Sequence, residues 1–161
     1  MTKDWTAIYQ NLPDGEKDKI AILRVMECSN GVIQHAFRDK IDWALSIDDT
    51  RRAMQFSMSC MKKLEVPLKD DTITFAPETQ VLLREARQLY VDGVKKGNDE
   101  SLSEFMKVSR ATVRGVGLTR IFSAAKILKQ NIDDIPPEAI TWGVSYIMQF
   151  FDKEEIEMHL P

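Results

Sequence analysis

The stretch from Ser101 to Gln130, SLSEFMKVSRATVRGVGLTRIFSAAKILKQ, carries the longest helical pattern in the chain and constrains its fold more than any other. At about 100° per residue, Phe105, Met106, Val113, Val116, Ala124 and Ile127 share one arc, while Lys107, Arg110, Arg114 and Lys129 cluster roughly opposite. From Leu118 onward, Ile121, Phe122, Ala125 and Leu128 place apolar groups on the remaining sides too. A helix that is apolar all round is a buried one. The first half therefore predicts a basic outer face and the second half a buried segment. Gly115 and Gly117 each cost about 1 kcal/mol against Ala inside a helix, so their presence points to a close helix–helix approach or a kink. The expectation is a central helix over 101–130 around which the others pack.

The rest of the chain supplies those others. Asp4 to Asn11 reads as a short helix closed by the turn signal Pro13-Asp14-Gly15. Glu16 to Cys28 follows, with Ile20, Ile22, Leu23, Val25 and Met26 apolar, and Ser29-Asn30-Gly31 is expected to end it. Val32 to Leu45 reads as a third helix, with Ile33, Phe37, Ile41 and Ala44 together. Thr50 to Leu64 reads as a fourth, capped by Asp48 or Asp49. Glu65 to Pro77, EVPLKDDTITFAP, holds a β-favouring run, Thr72 to Phe75, too short to found a sheet, and reads as an extended linker. Pro77 opens a helix over 78–96 with Val81, Leu82, Ala86, Leu89, Tyr90 and Val94 inward. Ser101 with Glu104 matches a capping box for the central helix. A last helix, Glu138 to about Glu157, is aromatic-rich. The fold class is all-α: two packed helical halves, 1–66 and 78–161, joined by the linker.

Composition narrows the chemistry. With 161 residues and a net charge of −3, a surface that coats nucleic acid throughout is excluded, whereas a local basic patch is not. Met1 to Leu12 lacks the basic start and long apolar run of a signal peptide, so the chain is expected to be soluble and suited to a reducing compartment. Cys28 and Cys60 lie in apolar-periodic segments and read as small core hydrophobes, as do Met54, Met58 and Met61. His35 and Cys28 fit no zinc spacing, and GVG lacks the strand and Lys-Ser/Thr of a phosphate loop. Asp70-Asp71, Asp133-Asp134 and Glu154-Glu155 are sequence neighbours that point apart, so they read as surface charge. No enzyme, cofactor or metal is expected.

Binding is the class that remains. Leu102 to Arg114 resembles the turn and recognition helix of bacterial helix-turn-helix regulators, although Met106-Lys107 stands where a small turn residue belongs. Arg51 and Arg52 open a helix whose dipole they oppose, and so call for another role. A helical adaptor that binds a protein partner fits the same features.

Three stretches taken together carry a family resemblance: LPDGEKDKIAILRVMECSNG, WALSIDDTRRAMQFSMSCMKKL and VRGVGLTRIFSAAKILKQNIDDIPPEAITWGVSYIMQFF. In pattern and spacing the chain resembles the amino-terminal region of orthomyxovirus (influenza-like) matrix proteins, as a distant, thogotovirus-type member. The resemblance implies a non-enzymatic building block that polymerises in the virion beneath the envelope, or at the inner face of the plasma membrane. It would touch anionic lipid on one side and ribonucleoprotein or RNA on the other. Arg51 and Arg52 fall at that family's linker-helix arginines, and Arg84 and Arg87 at its basic helix, where Glu85 and Gln88 interrupt the run and leave nuclear import in question. With Lys95, Lys96, Lys107, Arg110 and Arg114 they make up the candidate membrane- and RNA-binding face.

Overall fold

The computed structural model describes residues 3–39 and 47–159; the side chains of 34–39, 47, 49, 50, 54, 57, 58 and 61 lie outside that description. The readings of His35, Phe37, Ile41, Ala44, Met54, Met58 and Met61 fall on those positions. The fold is all-α, with eight helices among the described residues and one small two-stranded sheet.

Helix α1, Trp5–Gln10, starts where Asp4 Oδ1 accepts the Ala7 N–H at 3.1 Å, and it buries Trp5 and Tyr9 one turn apart. Helix α2 then runs unbroken from Asp14 to Asp39. The expected stop at Ser29-Asn30-Gly31 is corrected. Ser29 Oγ donates to Val25 O at 2.7 Å, which satisfies a hydroxyl inside the helix, and Ser29 and Asn30 are both buried by tertiary packing. Packing of this kind overrides the local preference of Asn and Gly for a helix end. Helix α3, Ile47–Lys63, begins earlier than expected, so Asp48 and Asp49 fall inside it.

Leu64 then takes a left-handed conformation, φ 56°, and turns the chain into a hairpin. Strand β1, Glu65–Leu68, pairs antiparallel with β2, Asp71–Thr74, Val66 opposite Ile73. The extended linker expected over 65–77 is thus corrected to a paired ribbon. Two strands alone are marginal in water. This pair is held because Val66 and Phe75 are buried and because the Lys69 N–H donates to Asn131 O at 2.9 Å.

Helix α4, Pro77–Tyr90, starts with proline at its first position, as expected, and continues through a π turn, Val91–Lys95, to Gly97 at φ 75°. Asn98, not Ser101, caps α5: its Oδ1 accepts the Ser101 N–H at 3.0 Å. Glu104, expected to complete a capping box, instead accepts the Trp5 Nε1–H at 2.6 Å and ties α1 to α5. Helix α5 is Asp99–Val116 and α6 is Leu118–Asn131. The single helix expected over 101–130 is corrected, because Gly117 sits at φ 90°, ψ 156°, which a helix cannot pass through and which only glycine adopts readily. The last helix is likewise divided into α7, Pro137–Ile147, a 3₁₀ turn, Met148–Phe150, and α8, Lys153–Glu157.

Helix α2 is the axis of the core and packs along α3, α5, α6 and α7, while α1 and α4 both pack on α5. Gly115 and Gly143 permit two of these approaches. A Cβ on Gly115 would stand 2.6 Å from Tyr9 Cβ, and one on Gly143 would stand 2.6 Å from Ser29 Oγ. Glu16 pins the start of α2 to the start of α4. Its Oε1 accepts the Ala76 N–H at 2.7 Å and the Thr79 hydroxyl at 2.8 Å, and its Oε2 meets Lys19 Nζ at 2.7 Å. Burial alone would raise the Glu16 carboxyl, but these three donors outweigh it and hold it below its ordinary value.

Candidate functional site

The nine candidate cations differ in what they already touch. Arg84, Arg87, Lys95 and Lys96 lie exposed along α4 and the π turn, and Lys107 and Arg110 lie exposed on α5, which packs directly against that segment. Arg84 Nη2 donates to Gln80 Oε1 at 3.2 Å, Lys96 stands 3.5 Å from Asp92 and Lys107 stands 3.9 Å from Glu104. Arg87, Lys95 and Arg110 have no hydrogen-bond or ion-pair partner among the described residues. Arg114 is engaged elsewhere: it donates to Phe150 O at 2.7 Å, reaches Glu155 at 3.4 Å and lies over the Phe151 ring. It anchors the carboxy-terminal turn to α5. The Asp152 N–H holds the Glu155 carboxyl low against the opposing effect of burial, and Arg114 adds to that hold. Arg51 and Arg52 are exposed on α3, whose main packing is on α2 and β1.

Between these cations stands apolar surface that periodicity placed inward. Val81 is 63 % exposed, Val94 48 % and Met106 64 %, all on α4, the π turn or α5. The apolar arcs of both helices are wider than the neighbours that cover them, so their outer edges remain in water. An exposed apolar residue on its own needs no explanation, but several interleaved with unpaired cations on two packed helices form a surface suited to binding.

Together with α1 and α2, the same elements line a cavity of about 460 Å³. Its inner wall includes the buried Tyr9, Ile20, Val108 and Thr112; its side includes Leu23, Leu83, Ala86 and Phe105; its open edge carries Arg87, Tyr90 and Lys95. Tyr90 and Phe105 meet edge to face at 5.3 Å between centroids. Arg24 and Glu27, 2.9 Å apart, also line it, so their charges offset one another. Burial pushes the Tyr9 phenol up to about 12, against the opposing hydrogen bond with Thr112, so this wall is uncharged at neutral pH. Asn30 is in the lining at 4 % exposure, and its Oδ1 has no hydrogen-bond partner. A buried acceptor left unmet costs about 1–3 kcal/mol. Size and lining match the general character of small-molecule sites, apolar with few convergent polar groups.

Residues Arg24, Glu27, Asn30 and Tyr9 were not legible as site residues. Asn30 carried the signal of a helix end, and only the continuity of α2 turns it into a wall. The other chemical readings resolve simply. Cys28 and Cys60 are free and buried, with burial pushing the Cys28 thiol up and the Cys60 thiol up to about 11, so both are inert core thiols. The helix-turn-helix alternative needed a turn at Met106-Lys107, and α5 is continuous there. Among the described residues no cluster of His, Cys, Asp or Glu is arranged to hold a metal, and no helix is long and apolar enough to cross a membrane. Comparisons with protein-family models, curated proteins and solved structures returned no match for this chain.

Proposed function

We propose that this protein is a non-catalytic binding and assembly protein that engages an anionic surface through the face made by α4, the π turn and α5, in the manner of a matrix-type protein. The observation that carries the reading is the interleaving of the unpartnered Arg87, Lys95 and Arg110 with the exposed Val81, Val94 and Met106 on two packed helices. Cations draw the chain to an anionic leaflet or to ribonucleoprotein, each contributing about 1 kcal/mol near a membrane surface, and the apolar side chains enter the interface. A net charge of −3 leaves acidic surface elsewhere for head-to-tail contact with the basic face of another copy, and assembly multiplies weak contacts.

Flotation with phosphatidylserine and with neutral vesicles, at low and high salt, tests the reading. Binding to the anionic vesicles alone, reversed by salt and lost in Arg84→Glu/Arg110→Glu, is the expected result. A protein that ignores anionic vesicles at low salt and stays monomeric at high concentration refutes it. The same exposed Val81, Val94 and Met106 suit an adaptor's protein partner, and that outcome would favour the adaptor.

A further inference from the structure

We propose that the cavity between α1, α2, α4 and α5 is a binding site for a single-chain amphipathic anion, an acyl carboxylate or the corresponding phosphate monoester. The apolar chain lies against Leu23, Leu83, Ala86 and Phe105, and the head group meets Arg87 and Lys95 at the open edge. This goes beyond surface engagement, because it concerns a monomeric ligand inside the fold and needs no vesicle.

Three observations converge on this class. The volume, about 460 Å³, falls within the range of small-ligand pockets. The inner wall is mostly apolar and carries no net charge, since Arg24 is matched by Glu27, so a lone charge has no place at depth. The charge that remains is positive and stands at the edge, where Arg87 and Lys95 have no acidic partner among the described residues. An apolar body with one anionic end complements this distribution; a neutral chain leaves the cations unmatched, and a bare anion leaves the wall empty. A cavity of this size accommodates one chain, not the two of a bilayer phospholipid. Asn30, buried in the same wall with an unmet Oδ1, is a polar anchor for a ligand that also carries a donor.

Calorimetric titration of the full chain with decanoate, decyl phosphate, decanol and inorganic phosphate, each below its aggregation concentration, tests the proposal. Decanoate and decyl phosphate bind saturably with one site per chain, and decanol and inorganic phosphate bind at least about tenfold more weakly. Arg87→Gln/Lys95→Gln, both on the surface, lowers decanoate affinity about tenfold and leaves decanol unchanged. Ala86→Phe fills the cavity and abolishes binding of both, with circular dichroism checking that it folds. Equal affinity for decanoate and decanol, or undiminished binding to folded Ala86→Phe, overturns the assignment. The surface reading is tested independently by Arg84→Glu/Arg110→Glu, whose altered positions do not line the cavity, so either proposal can fail without the other.

Discussion

Replacing Gly143 with alanine probes a close contact in the core, where α7 crosses α2. A Cβ at this position would lie 2.6 Å from Ser29 Oγ, 2.8 Å from Ser29 N and 3.0 Å from Ser29 Cα. Apolar contacts settle at about 3.5–4.0 Å, so the helices must part by about 0.5–1 Å at the crossing. Rotating Ser29 relieves only the first contact, and it breaks the 2.7 Å bond from its hydroxyl to Val25 O in a residue with no exposure. The backbone atoms have no such escape. Parting the helices also loosens Ile140 and Ile147, both fully buried on α7. Overpacking of this kind costs about 1–3 kcal/mol, and the better helix propensity of alanine returns less than about 1 kcal/mol. The expected net is about 2 kcal/mol of lost stability, or a Tm lower by about 4–8 °C for a chain of this size. Urea unfolding followed by circular dichroism measures it, with Ser29→Ala and the double variant completing a cycle. Removing the hydroxyl should recover only part of the loss, because the contacts to Ser29 N and Cα remain. A Gly143→Ala protein as stable as the parent refutes the geometry, and full recovery in the double variant shows that the hydroxyl, not the backbone, set the limit.

Gly31, on the same helix as Ser29, is exposed and a Cβ there meets nothing within 4 Å, so Gly31→Ala should raise stability by about 0.5–1 kcal/mol in the same assay. Glu16→Ala leaves the Ala76 N–H and the Thr79 hydroxyl without their acceptor and should cost about 2–4 kcal/mol, read as a lower urea midpoint. Because the Glu16 carboxyl is held below its ordinary 4.5, its contribution is complete above that value and is lost as pH falls below it; Glu16→Gln should shallow that acid limb of the urea midpoint. Arg114→Ala removes the bond to Phe150 O and the contact with Glu155, so hydrogen exchange should quicken across 148–159 while α2 keeps its protection.

How much of this was legible in the sequence depends on the range of the interaction concerned. All-α character, the short first helix and the proline start of α4 follow from local pattern and local stereochemistry, and the structure carries all three. Gly117 was legible as a perturbation, though not as a break, because periodicity continues on both sides of it and the left-handed angle is visible only in three dimensions. Ser29-Asn30-Gly31 misled for the opposite reason. Its local preference for a helix end is worth less than the burial of Asn30 and that of Ser29 against α7, a partner more than a hundred residues away. The hairpin at 65–74 depends in the same way on a distant carbonyl, that of Asn131.

Charge shows the same division most sharply, and it bears on function. The sequence places nine cations on helices without saying which are already matched. Arg114 shares its spacing with Lys107 and Arg110 on α5, yet its guanidinium is drawn to Phe150 O and Glu155, in a segment that lies beyond α6 and α7. Lys96 has Asp92 within reach and Lys107 has Glu104, so a mobile anion meets these cations partly neutralised. Arg87, Lys95 and Arg110 carry no such debit. Arg87 and Lys95 are also the cations nearest in sequence to the exposed Tyr90 and Val94, and Arg110 follows the exposed Met106 by one helical turn, at the apolar edges left over when α4 and α5 pack together. Attraction without apolar contact is screened away by salt, and apolar contact without attraction finds no partner at long range. A surface that offers both at once is therefore a stronger basis for assigning function than the number of cations in the sequence.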